Sequence, residues 1–201
     1  MYNKRSKIKV KTKDELKDII ANSPLDADLN HLDVSLITDM DFLFRDSDFQ
    51  GNISEWDVSN LESAYKMFIN CPSFNSDLSK WKMPKLTDAS YMFSRCPSFN
   101  SDLSKWKMPK LTDASYMFSR CPSFNSDLSK WDVSNVDSVE SMFYMCESFN
   151  SDVSSWDISS VSYKTNMFAD GFFKGVVTFE EYCAKQSEYK KLGLLAKLLD
   201  L

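Results

Sequence analysis

Glycine is scarce in this chain of 201 residues, four in all, so a phosphate-cradling loop has little to be built from. Histidine is scarcer still. His31 stands alone in a polar stretch with no serine or cysteine motif beside it, and it is not expected to be catalytic. No apolar run reaches the ~18 residues of a membrane-spanning helix. The basic N-terminus, MYNKRSKIKVKTKDELKD, lacks the apolar segment of a secretory signal. As written, the chain is expected to stay in the cytoplasm, or to reach the cell surface if a leader or anchor has been removed. Net charge of −5 weighs against non-specific nucleic-acid binding, which needs a basic surface. Local cysteine pairs are missing too: Cys71, Cys96, Cys121 and Cys146 fall 25 residues apart, and Cys183 follows. Metal sites and disulfide frameworks draw on local pairs or an even count. The repeated cysteines therefore read as buried reduced thiols acting as small apolar residues, with disulfides between neighbouring repeats as the alternative. No catalytic residue, no cofactor and no metal is expected.

What the chain has is repetition. Residues 71–95 read CPSFNSDLSKWKMPKLTDASYMFSR and are followed at once by an identical copy, and the identity runs on to Trp131. Degenerate copies flank both. An anchor recurs at Leu32, Trp56, Trp81, Trp106, Trp131 and Trp156. Two residues after each comes a second apolar residue, such as Met83 or Val133, and an i, i+2 pair suits a very short strand with both side chains inward. Ala89, Met92, Phe93 and Cys96 then fall at i, i+3, i+4, i+7, the spacing of about two helical turns, capped by Thr87 or Asp88 and ended by Pro97. One such unit cannot bury its own apolar edge, but a stack can, with Trp on Trp and Phe on Phe. The predicted fold is an α/β repeat solenoid, LRR-like, with a short strand and a short helix per 25-residue coil and about six coils. Residues 1–25, with KIKVK and a Thr12/Glu15 capping box, form an N-terminal cap; 26–170 form the repeat array; 171–201, with Thr178/Glu181, form a helical C-terminal cap. The closing KLGLLAKLLDL is read as covering the last coil, with a weak membrane or partner-helix contact as the alternative.

The phrase Leu78-x-x-Trp81-x-Met83-Pro84-x-Leu86-x-x-Ala89-x-x-Met92-Phe93-x-x-Cys96-x-x-Phe99 resembles the BspA-type leucine-rich repeat. It is more similar still to the related 25/26-residue repeat of bacterial surface proteins and lipoproteins. SFNSDVSS (148–155) and WDVSNVDSVESMF (131–143) carry that phrase, whereas the middle copies have KMPK in place of DVSN. The resemblance covers about residues 26–170. It implies a curved solenoid with strands on one face, often displayed at cell surfaces, and it implies little about a ligand.

Two rows of polar residues repeat with the coil. The Asp row (Asp77, Asp102, Asp127, Asp152) and the Asn row (Asn75, Asn100, Asn125, Asn150) read as side chains bonded to local main chain after each Phe. A calcium row is the alternative, without the Gly-x-Asp loops of calcium solenoids. Around the anchors lie Lys80, Lys82, Lys85, Lys105, Lys107, Lys110 and Lys130. On strands ~4.8 Å apart these would crowd two or three rungs, at a cost to stability. Either one duplicated coil carried its solvated lysines along, or the strand face binds an acidic protein partner. The function expected is a non-enzymatic protein-interaction scaffold, with a bacterial surface adhesin or a length-variable spacer as alternatives.

Overall fold

Apolar residues recurring every 25 positions can be buried only against the same residues of the next copy, and they are. The computed structural model describes residues 7–173 and 175–198, the side chains of residues 194–198 apart. It contains β1 (Ile8–Lys9), α1 (Lys13–Ala21), β2 (Leu32–Asp33) and α2 (Phe179–Leu198). Between β2 and α2 the chain winds in coils joined by parallel bridges, Asp39 to Ser63, Ser63 to Asp88, Asp88 to Asp113, Asp113 to Ser138 and Ser138 to Tyr163.

The interior is a set of aromatic columns. Phe44, Phe68, Phe93, Phe118, Phe143 and Phe168 stack with centroids 5.1–5.8 Å apart. A second column runs through Phe74, Phe99, Phe124 and Phe149 at 5.9 Å. Trp81, Trp106, Trp131 and Trp156 stack at 6.3–6.5 Å. Each indole Nε1 donates across the gap, as Trp106 does to the Leu78 carbonyl at 2.9 Å. Tyr91 and Tyr116 stack at 4.5 Å. Between the identical copies the ring spacing thus widens from Tyr91–Tyr116 through Phe93–Phe118 at 5.7 Å to Trp81–Trp106 at 6.5 Å.

The helix expected over Ala89–Cys96 does not form. Ala89, Met92, Phe93 and Cys96 are all buried, but they lie on a chain of reverse turns. The N–H groups of Met92 and Ser94 close turns on Ala89 and Tyr91, while those of Ala89, Tyr91, Phe93 and Arg95 donate to Asp113, Ser115, Met117 and Ser119 of the next coil at 2.8–2.9 Å. A helix would spend every N–H inside its own segment. Here every second one leaves the coil. The redirection is made by two residues per coil with φ between +50° and +61°, Tyr91 and Arg95 in one copy and Tyr116 and Arg120 in the next. Left-handed backbone costs an L-residue about 1–2 kcal/mol. The inter-coil hydrogen bond that each of these N–H groups donates holds it there.

Arg120 has φ 61°, and Asn70 occupies the corresponding place two coils earlier at φ 58°. Arg120→Asn is therefore expected to leave the urea midpoint essentially unchanged, because asparagine tolerates this region. Arg120→Val should cost roughly 1–2 kcal/mol. Equal midpoints for the two variants would count against the strained turn.

The expected strand at Trp-x-Met is likewise absent. Trp81 and Met83 both point inward, but their segment makes no backbone hydrogen bond to a neighbouring coil among the described residues. The ~6.4 Å between indoles exceeds the roughly 4.8 Å that paired strands need. Pairing moves instead to the narrow side, at Asp88 and its equivalents. Side chains join the wide side. The Cys96 thiol donates to the Phe68 carbonyl at 2.9 Å, and Ser101 Oγ accepts from Leu78 N at 2.8 Å.

Both ends are covered. Thr12 Oγ1 accepts from Glu15 N at 3.1 Å to start α1, which buries Leu16, and Lys13 pairs with Asp39 at 2.6 Å. At the other end Thr178 and Glu181 exchange hydrogen bonds of 3.1 Å. Tyr182 of α2 lies 3.9 Å from Phe168 and extends the phenylalanine column by one ring. Gln186 donates to the Asn150 carbonyl, and Lys190 pairs with Asp152, whose carboxyl it holds down at about 2. The amphipathic reading of residues 191–201 falls largely outside the described side chains.

Candidate functional site

All seven expected lysines are exposed, and the structure sorts them by what they meet. Lys80 pairs with Glu55 at 2.5 Å, and Lys85 donates to Asn60 Oδ1 at 2.7 Å. Lys105 and Lys130 lie within the fields of Asp102 and Asp127 of their own coils. Lys82, Lys107 and Lys110 have no carboxylate within ion-pair distance among the described residues. The face itself differs from expectation. It is not a strand face but the wide, indole-bearing side of the coils, where ~6.4 Å separates one copy from the next. At that spacing two ammonium groups in water repel by roughly 0.6 kcal/mol, so the lysines are tolerable to the fold but not explained by it.

The Asp row works locally. Asp77, Asp102 and Asp127 each accept from the N–H two residues on at 2.9 Å. The bonds from Ser79 and Ser104 are the main reason the Asp77 and Asp102 carboxyls sit below the usual carboxylate range. The Asn row does not. Asn75, Asn100 and Asn125 accept from the N–H of the asparagine one coil later at 2.8–3.0 Å, so they tie coils together. His31 is exposed and its Nδ1 lies 3.1 Å from the Asp28 carbonyl. The four repeated cysteines are buried and unpaired, and Cys183 is half-buried.

A second surface was not legible as a site. Arg95 and Arg120 stand side by side on their left-handed turns between two depressions. On one side, about 430 Å³ is floored by Ser94 and Ser119 and walled by Tyr91 and Tyr116. Lys66 closes one end, its Nζ 4.9 Å from the Tyr91 ring, and Tyr144 the other, with the Arg120 guanidinium 5.4 Å from its ring. On the other side, about 540 Å³ is lined by Pro72, Pro97, Pro122 and Met145, with Glu147 at its rim. Its sequence signal is the repeated YMFSRCP, in which the apolar letters describe core and obscure the arginine between them.

Neither a curated protein nor a solved structure matches this chain. A family model does, in two overlapping passes over residues 14–124 and 110–174, the span wound into coils and the N-terminal helix before it. By that match the chain belongs to a bacterial repeat family described as Mycoplasma protein of unknown function, DUF285.

Proposed function

We propose that this chain is a non-enzymatic interaction scaffold, an LRR-like repeat solenoid that presents its lysine face to an acidic protein partner. One observation carries the reading: Lys82, Lys107 and Lys110 stand exposed in adjacent coils with no carboxylate partner among the described residues. Along the indole-bearing side, by contrast, the repeated polar groups are occupied, with the indole N–H, the cysteine thiol and the Ser101 hydroxyl bonded across the gap. A partner bearing carboxylates at the coil spacing would meet the unpaired ammonium groups, and long-range attraction would speed its approach. The resemblance to BspA-type repeats supports a surface-displayed scaffold, with a bacterial surface adhesin as the alternative role.

The test uses the full chain and polyglutamate as the acidic probe. Charge reversal at Lys80, Lys82, Lys105 and Lys107 is expected to weaken binding about tenfold and to flatten its dependence on salt while the urea midpoint holds. Unchanged binding by that variant refutes the lysine face. A length-variable spacer is the other reading, favoured by the identical copies; for a spacer, loss of residues 71–95 removes reach without removing function.

A further inference from the structure

We infer that the turn face carries a second binding site, seated astride Arg95 and Arg120, for a peptide segment in which acidic and apolar residues alternate. It stands apart from the lysine face and does not depend on it.

The two guanidiniums are exposed, one coil apart, and neither has a carboxylate partner among the described residues. Their backbone is fixed, since each N–H donates to the next coil, Arg95 to Ser119 at 2.8 Å and Arg120 to Tyr144 at 2.7 Å. Cations of like sign anchored by their backbone in adjacent coils favour an anion that bridges them. The trough beside them is furnished for oxygen ligands. Ser94 and Ser119 are each only 4% exposed, and their hydroxyls take part in no hydrogen bond among the described residues. Lys66 adds an ammonium at the end of the trough.

Across the arginine ridge the chemistry changes. Pro72, Pro97 and Pro122 make an apolar groove that carboxylates alone would leave uncovered. An extended peptide sends successive side chains to opposite sides. Laid along the ridge, a segment with alternating acidic and apolar residues puts carboxylates into the serine trough and apolar groups onto the prolines. A single-stranded nucleic acid fits less well. Its bases need open aromatic faces, and Tyr91 and Tyr116 turn one face each to the other at 4.5 Å and 3°, with Lys66 Nζ over the Tyr91 ring at 4.9 Å.

The probe is a fluorescein-labelled peptide of alternating aspartate and leucine, titrated against the whole protein by fluorescence anisotropy. Arg95→Asn with Arg120→Asn is the informative variant, because Asn70 already occupies the equivalent left-handed position and the fold is kept. The double variant is expected to bind about tenfold more weakly. Replacing aspartate by asparagine in the peptide should abolish binding, and an all-aspartate peptide should bind less tightly than the alternating one. Unchanged affinity in the arginine variant overturns the assignment. So does equal or tighter binding of oligothymidylate, or a loss confined to Lys82→Glu with Lys107→Glu, which would move the peptide to the lysine face.

Discussion

Replacing Phe118 with alanine is expected to remove about 4 kcal/mol of stability, read from the urea unfolding curve. The ring is fully buried and lies mid-stack. Its centroid is 4.1 Å from Phe124, 5.7 Å from Phe93, 5.8 Å from Phe143 and 6.2 Å from Trp131. Truncation takes away the buried area of an aromatic side chain and leaves a cavity between coils. The inter-coil hydrogen bonds from Phe118 N to Met142 and from Arg120 N to Tyr144 stop the coils from closing it. Phe118→Leu should recover more than half of the loss. In a stack held by nearest-neighbour contacts, weakening one central interface can also uncouple the halves, so a split transition in Phe118→Ala fits the same picture. A loss below about 1 kcal/mol would mean that the column is not what holds the coils together.

The second large effect is alkaline. Burial pushes the Cys96 and Cys146 thiols well above their ordinary range and raises Cys121 to about 12. An unfolded thiol ionises near pH 8.5–9. Below that, folded and unfolded chains hold the same protons and these groups leave stability flat. Above it the unfolded chain releases protons that the folded chain keeps, so stability falls until the folded thiols themselves ionise. Each thiol contributes a slope of about 1.4 kcal/mol per pH unit, and three acting together about 4. Unfolding free energies at pH 8.5, 9.5 and 10.5 give the slope, and Cys121→Ala should make it shallower by one thiol's share. Cys96, Cys121 and Cys146 should also resist a thiol reagent at pH 8 until denaturant is added, whereas the hydrogen bond to Cys96 holds the Cys71 thiol below its ordinary range. A flat profile across this window would show that the thiols are not kept protonated by burial.

Much of the interior was legible in the sequence because burial is written in residue type. The Trp, Phe, Met and Cys residues that recur with the 25-residue period lie inside. The capping boxes were readable as well, since they depend only on neighbours three residues apart. What could not be read was where the backbone hydrogen bonds go. Ala89, Met92, Phe93 and Cys96 suit one face of a helix, but the same spacing suits alternating turns that send every second N–H to the next coil. The usual marker of such turns, glycine, is missing, and tyrosine, arginine, lysine and methionine take the left-handed positions instead. The asparagine ladder was hidden for a related reason. Asn75 and Asn100 look like turn residues in one dimension and become partners only when residues 25 apart are neighbours. Of the candidate surfaces, the lysines were visible because they are polar in a polar stretch, whereas Arg95 and Arg120 sat within an apolar phrase.

The two identical copies touch neither end of the molecule. The N-terminal cap reaches Asp39 and Glu55, and the C-terminal helix reaches Phe149, Asp152 and Phe168. Between them, the inter-coil bonds of the turn face run to residues 24 positions on, and the asparagine ladder links residues 25 apart. Excising or duplicating a whole copy thus rejoins like with like and leaves both lids in place. Lineages carrying this gene can lengthen or shorten the protein in single-coil steps, as one adds links to a chain, without having to invent a new closure at either end.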